Sequence, residues 1–545
     1  MLQADRVGEK RGLGRGRFDG RQEHRFCWDG TLGAHDEHVG QWGLVWRQFR
    51  RRPLAVAAGI VIVALITTSI WAPFLAHDRP LHYRGVNRFA YREAVRTLLE
   101  LLRRLDASSA AATRSPREDT LRAIALQGRL MMAQLPPDRR ERLHELLRQV
   151  ATDDPNPQRV REWQLIVRRE FGGSDVPLVS RAHWPVLASL RWMDVFFLVW
   201  NISLLTAWWW WPALHRVFPP PQVGYRRLCL GMGWVGVPAA CALGWWLAVP
   251  ERIDRTNYKA GVLAEEAGAA TAPVVYESVT WPPIPFGIDE NVLANATLQP
   301  AFWSRAKESR PRMVVGRWDR PHWLGTDELG RDVLCRMIWG GRVSLAVGIV
   351  AVAIYVSIGI VVGAVAGYFR GVCDLVLSRV IEVVICFPAF FLILTIVAFI
   401  GPGIFNIMVV IGLTGWTGIA RLVRGEFLRL VDQEFVLAGR ALGYSPFRLI
   451  FRHILPNALA PVLVSATFGV AGAILTESSL SFLGLGITVP TPSWGGILTS
   501  GRDAIFRAPW LIVFPGLAIF VTITCYNLVG EALRDASDPR LRGSR

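Results

Sequence analysis

Eight apolar runs, each long enough to cross a bilayer, govern what this 545-residue chain can become. They cover residues 54–75, 193–214, 228–249, 343–368, 381–400, 404–422, 460–483 and 510–529, with a Gly401-Pro402-Gly403 turn between the fifth and the sixth. About 20 mostly apolar residues span a hydrocarbon core as a helix. Lipid offers backbone groups no hydrogen bonds, so a run of this length must satisfy its own as a helix. The expectation is an all-α polytopic membrane protein. With 51% hydrophobic and only 19% charged residues, a soluble enzyme, a disordered chain and a disulfide-stapled secreted domain are all excluded.

Arginine flanking the runs predicts their direction, because cations beside a span stay on the cytoplasmic side. Arg47, Arg50, Arg51 and Arg52 precede the first run, which places residues 1–53 inside as a largely disordered tail. Threading eight spans then puts four further basic stretches inside: the loop with Arg216, Arg226 and Arg227, the loop with Arg370 and Arg379, residues 423–459, and the tail 531–545. Both termini are expected in the cytoplasm, with the chain multi-pass in the membrane.

The net charge of +17 comes almost wholly from arginine, since lysine stands only at 10, 259 and 307. No basic stripe is interleaved with stacking aromatics, so nucleic acid is not an expected partner. The seven cysteines are scattered without metal-ligand spacing. No P-loop, H-E-x-x-H or G-x-S-x-G occurs, which leaves no catalytic residues, no metal site and no cofactor to assign; the chain reads as a non-enzyme. Asn295-Ala-Thr297 fits a glycosylation acceptor only as a three-residue coincidence. The first apolar run starts too late and runs too long for a signal peptide. The tryptophan tetrad 208–211 and Trp245-Trp246 read as headgroup-level anchors.

Two long stretches fall outside in this threading. Residues 76–192 read as a helical domain, with a stripe of Leu98, Leu99, Leu101, Leu102 and Leu105, a capping box at Ser115-Pro116-Arg117-Glu118 and a break at Pro136-Pro137. Residues 250–342, rich in proline, read as loop packed against the membrane part.

The segment between the sixth and seventh runs is the most informative. Ala438, Gly439 and Ala441 are small, Gly443 suits a helix stop, and Phe447, Ile450, Phe451 and Ile454 recur at helical spacing beside Arg448 and Arg452. A short helix, a turn and a second amphipathic helix follow, ending at a membrane re-entry marked by Pro456. This segment resembles the cytoplasmic coupling loop of ABC-importer permeases, whose pattern is EAA, three residues, Gly, nine residues, I-x-L-P. Ala438, Gly443, Leu455 and Pro456 fall at that spacing; Leu437, Gly439 and His453 replace the Glu, the second Ala and the Ile. Glu434, one turn earlier, is the candidate substitute for the lost Glu.

Three further stretches resemble dipeptide, oligopeptide and nickel importer permeases: His322-Trp-Leu-Gly-Thr-Asp327 with Arg331-Asp332, Ser481-Phe-Leu-Gly-Leu-Gly486 with Trp494-Gly495, and Asn527 to Leu541. Trp281-Pro-Pro-Ile-Pro-Phe286 is similar to an outer loop of the microcin C/oligopeptide branch. The resemblance covers roughly residues 315–545 and the first span. It implies a six-helix permease core, 343–530 plus the first span, into which a helical extracytoplasmic domain (76–192) and an extra transmembrane hairpin (193–249) are inserted; a hairpin leaves the downstream topology unchanged.

The partners implied are a second homologous permease, two cytoplasmic ATPases and an extracytoplasmic solute-binding protein that selects a peptide, nickel or another small solute. Glu434, Ala438, Gly439, Arg440, Gly443, Arg448 and Pro456 are the implied coupling residues. Glu477, with Asp327, Arg331 and Asp332, are candidates for the pathway or its gate; local pairing, capping or a bond to the partner permease is the plainer account of each. The competing function is a membrane scaffold or sensor built around the insertion.

Overall fold

The computed structural model describes residues 41–109, 114–152, 156–173, 176–207, 209, 223–248, 258–259, 274–290, 298–302, 321–487 and 490–537. Most of the tryptophan tetrad, the 295–297 acceptor, the N-terminal 40 residues and the last eight lie outside them.

The amino-terminal part holds α1 (Gln41–Arg50), α2 (Pro53–Ile70) and α3 (Ala72–Leu75). Pro53 sits in the first turn of α2, where its missing N–H costs nothing. Strand β1 (His82–Asn87) leads into α4 (Arg88–Ser109), α5 (Arg114–Met132), α6 (Pro137–Thr152) and α7 (Pro157–Ile166), the last extended by a π-helical turn, Val167–Phe171. These four helices bury a core of their own. Leu98, Leu102 and Leu105 of the leucine stripe are fully enclosed with Met131, Leu143 and Trp163, while Leu99 and Leu101 lie at its margin. Pro137 opens α6, where the sequence breaks.

Strand β2 (Arg181–His183) and α8 (Pro185–Ser189) precede two apolar helices, α9 (Trp192–Leu205) and α10 (Val223–Ala248). Polar side chains bolt α9 to the first membrane helix. Trp71 Nε1 donates to Asn201 Oδ1 at 3.0 Å, and Asn201 Nδ2 donates to Thr67 Oγ1 at 3.2 Å. Asn201 is buried, so each bond is made away from water, where an unpaired amide is expensive.

Strand β3 (Val274–Thr280) completes an antiparallel sheet in the order β2-β1-β3. Tyr83 faces His183 on one side and Val279 on the other. Within a mostly helical chain, this small sheet replaces the loop expected around residue 277.

The rest is helical: α11 (Val333–Phe369), α12 (Gly371–Ile385), α13 (Ala389–Ile400), α14 (Ile404–Leu430), α15 (Glu434–Ala441), α16 (Pro446–Phe482), α17 (Trp494–Arg502) and α18 (Trp510–Ser537). Among the described residues, five helices are long and apolar enough to cross a membrane, or six if α12 and α13 together make one crossing. Helices α9 and the apolar part of α10 are shorter.

Helices α14, α16 and α18 outrun their apolar runs, and two further differences have a clear cause. Helix α11 begins ten residues before the apolar run, because Asp332 caps it and Arg336 and Arg342 find acidic partners. The fifth run is not one straight helix. It breaks at Cys386-Phe387-Pro388, and α12 and α13 meet at 78°. A proline lacks the N–H that would continue the ladder, and a break there is its ordinary result.

Candidate functional site

On the side where α11 begins, the signature 322–336 folds into a closed knot. Asp332 accepts from Cys335 N at 2.6 Å as the helix cap, and its other oxygen lies 2.8 Å from His322 Nδ1. Asp327 accepts from the backbone of Leu329 and Arg331, both at 2.9 Å, and from Arg331 Nε at 2.7 Å. Arg336 approaches the same carboxylate at 3.6 Å. Thr326 is locked to Gln299, and Trp510 Nε1 donates to the Thr326 carbonyl at 3.0 Å. Phe286, from the proline-rich Trp281–Phe286 stretch, stacks on His322 at 4.2 Å. His322, Asp327, Arg331, Asp332 and Arg336 are all buried. The arrangement pairs and caps: its charges face one another, and Asp332 also borders a small pocket lined by Pro283, Phe286 and Trp323.

Glu477 lies deep in α16 with 0% exposure. Ser481 Oγ donates to it at 2.8 Å and Ser344 Oγ, from α11, at 3.3 Å. Trp494 N, at the start of α17, donates to Ser344 Oγ at 3.2 Å, and Ser493 also bonds the carboxyl. An intramembrane carboxylate must find polar partners. Here the partners come from three helices of one chain, so Glu477 works as a rivet between α11, α16 and α17. The sequence offered one sign of this, serines inside apolar runs, without saying which would meet.

At the other end of the bundle stands the segment 432–457. Helix α15 ends in a Schellman turn: Gly443 N donates to Arg440 O at 2.9 Å and Tyr444 N to Gly439 O at 3.0 Å. Gly443 sits at φ +74°, a conformation that costs other L-residues about 1 kcal/mol or more. Gly439 is buried against Leu449, whose Cδ2 would have to shift to admit a Cβ, 2.8 Å away. Ser445 then caps the next helix, with Pro446 in its first turn. Val436, Leu449, Ile450 and Ile454 anchor the inner side in the core.

The outer side is apolar and uncovered. Leu442 and Phe447 are each 71% exposed, and Phe435, Leu437 and Phe451 are exposed beside them. Phe447 and Phe451 lie with ring centroids 4.4 Å apart. Ala438 and Glu434 are exposed on the same short helix. The helical spacing of Phe447 and Phe451 was legible in the sequence, but not that they, with Leu442, Phe435 and Leu437, would stay uncovered.

Arg440 and Arg448 are both exposed, and each lies over a tyrosine ring. Arg440 lies over the Tyr368 ring at 5.5 Å, tying α15 to the end of α11, and Arg448 stacks on Tyr444 at 4.0 Å. The chain runs through Pro456 as one helix, α16, with the proline in the first turn of its regular part, Leu455–Phe482. The strain is absorbed just upstream by a π-helical turn, Leu449–Ile454, in which Leu455 N donates to Ile450 O. Arg370 donates to Asp432 Oδ2 at 2.6 Å and to Leu428 O, and this guanidinium holds the Asp432 carboxyl below the usual carboxylate range.

A family model described as "Binding-protein-dependent transport system inner membrane component" matches residues 359–543, and one described as "N-terminal TM domain of oligopeptide transport permease C" matches 40–89. The dipeptide transport system permease protein DppC of Alkalihalophilus pseudofirmus is 41% identical over 221 residues, 41% of this chain and 73% of that protein. The oligopeptide transport system permease protein OppC of Haemophilus influenzae is 44% identical over 41% of this chain and 71% of its own length. The glutathione transport system permease protein GsiD of Pectobacterium atrosepticum is 40% identical, with 41% and 73% covered. A methionine transporter, MetNI, in an inward-facing structure, aligns with 37% of this chain and 95% of that chain at a TM-score of 0.30 and 18% identity, too slight a likeness to argue from. With more than two thirds of such relatives covered at this identity, the chain belongs to the family of binding-protein-dependent transport inner membrane components, as a membrane-embedded permease subunit.

Proposed function

We propose that the chain forms half of a translocation pathway for peptides, completed by a second, homologous permease and driven by two cytoplasmic ATPases. A solute-binding protein outside delivers the cargo. The carrying observation is the uncovered apolar row Leu442, Phe447 and Phe451 on a rigid turn set by Gly439 and Gly443. Exposed apolar patches of this kind ask for a partner. A helix packed into a partner's groove moves with it as a body, which is how ATPase closure would reach the membrane helices. Peptides are favoured as cargo because the relatives are dipeptide, oligopeptide and glutathione permeases.

In this reading the termini and the 432–457 turn face the cytoplasm, and the knot around Asp327 faces outward. Residues 76–192 stand outside as a separate helical body, and α9 and α10 form the extra hairpin beside the first membrane helix. Glu477 and the Asp327 knot hold the shape of this half rather than touching cargo.

Gly443→Val tests the coupling. It forces a β-branched residue into φ +74°, a cost of about 1–2 kcal/mol that should cut coupled uptake about tenfold. Insertion and assembly with the partners should be unchanged. Wild-type uptake of labelled peptide and wild-type ATPase stimulation in that variant would overturn the role.

A further inference from the structure

The break between α12 and α13 is poorly suited to lipid. Helix α13 has 12 residues, a length of about 18 Å, against a hydrocarbon core of about 30 Å. Its far end is the Gly401-Pro402-Gly403 turn that leads into α14. The break therefore lies within the core, not at its edge. At a break the backbone is bare: the first N–H groups of α13 have no helical partner, and no side chain caps them. Irregular backbone at membrane depth survives only against protein or against water.

Among the described residues nothing covers it. All seven residues from Ile385 to Phe391 are exposed, whereas a helix resting on the bundle alternates between buried and open. The same side carries charge. Arg379 and Glu382, on α12, pair at 2.6 Å with side chains 72% and 59% exposed. An open ion pair beside the start of a span favours water over lipid tails as its neighbour. Bare backbone and an open ion pair lie on adjoining turns, seven residues apart.

We propose that the elbow Cys386–Phe391 lines the water-filled path, in the half nearer the cytoplasm, and touches the peptide in transit. The inference rests on the permease reading and its orientation. The elbow offers Phe387 and Phe391 as apolar walls, with amide N–H groups between them, a surface that suits extended chains of varied side chain.

Two native cysteines supply the test. Cys386 sits at the elbow and Cys241 is exposed on α10, in the hairpin outside the core. In the complete transporter with its partner subunits, in inverted vesicles, variants retaining one or the other are treated with a charged methanethiosulfonate. A thiol in water ionises and reacts, and one in lipid does not, so Cys386 should label about tenfold faster or more than Cys241. Transported peptide should slow the labelling of Cys386 alone. Ala389→Trp, an enlargement at an exposed site, should cut uptake about tenfold while assembly persists.

Equal inertness of the two thiols, with peptide uptake intact, overturns the elbow assignment and leaves the permease reading standing. So does cross-linking of an unlabelled Cys386 to the second permease, which would make the elbow an interface, and so does full uptake in Ala389→Trp. If the unmodified complex takes up no peptide, the permease reading itself fails.

Discussion

The knot around Asp327 and the turn around Gly443 are built to opposite plans. In the knot every carboxylate meets its donors inside the chain, and five ionisable side chains are buried together. In the turn the inner face is anchored but the outer face carries Leu442, Phe447 and Phe451 in the open. One region is finished within a single chain; the other leaves an apolar face open. Motif residues of one family thus divide between those that fix a shape and those that present one.

The sharpest way to break the contrast is Asp327→Ala. It strands Arg331 and Arg336 in a buried place, which costs about 3–5 kcal/mol. The expected result is failure to accumulate as assembled complex, read by membrane yield and melting in detergent; a normal melt would mean the knot is not structural. Glu477→Ala should cost less, about 1–3 kcal/mol for hydroxyls left without their acceptor. Melting should drop, with uptake per folded complex retained. Loss of uptake at unchanged melting would instead move Glu477 into the pathway.

Phe447→Ala sharpens the comparison from the other side. Stability should shift by no more than about 0.5 kcal/mol, since the ring is open, while peptide-stimulated ATPase activity falls. The smallest effect concerns the ion pair Arg370–Asp432. The Asp432 carboxyl lies below its ordinary value of 3.8, so whatever the pair contributes is present above that value and lost as pH falls through the lowered one. Melting of wild type and Asp432→Asn should therefore run parallel from pH 5 to 8 and converge only in stronger acid.

Helices were legible wherever apolar residues ran unbroken, as in α2, α14 and α18. They were not where polar residues were paired at a distance: the start of α11 holds Arg336 and Arg342, whose partners Asp327 and Asp194 lie elsewhere in the chain. The β-sheet was hidden because its strands are short and far apart, and only Val274–Thr280 reads as strand by itself. At the turn, Gly443, Ser445 and Pro446 could be read locally, since caps and stops depend on neighbours. The stacking of Arg440 on Tyr368 could not, because the ring arrives from another helix. Pro388 and Pro456 show the limit of a local rule, for one breaks a helix and the other is absorbed by a widened turn.

The pairing of β1 with β2 has an evolutionary corollary. Gly85 lies opposite Arg181, so the chain leaves for α4 and returns after α7 at almost the same point. A body whose entrance and exit coincide can be gained, exchanged or lost without moving its host. Ancestry could thus have spliced this module into a transporter already at work.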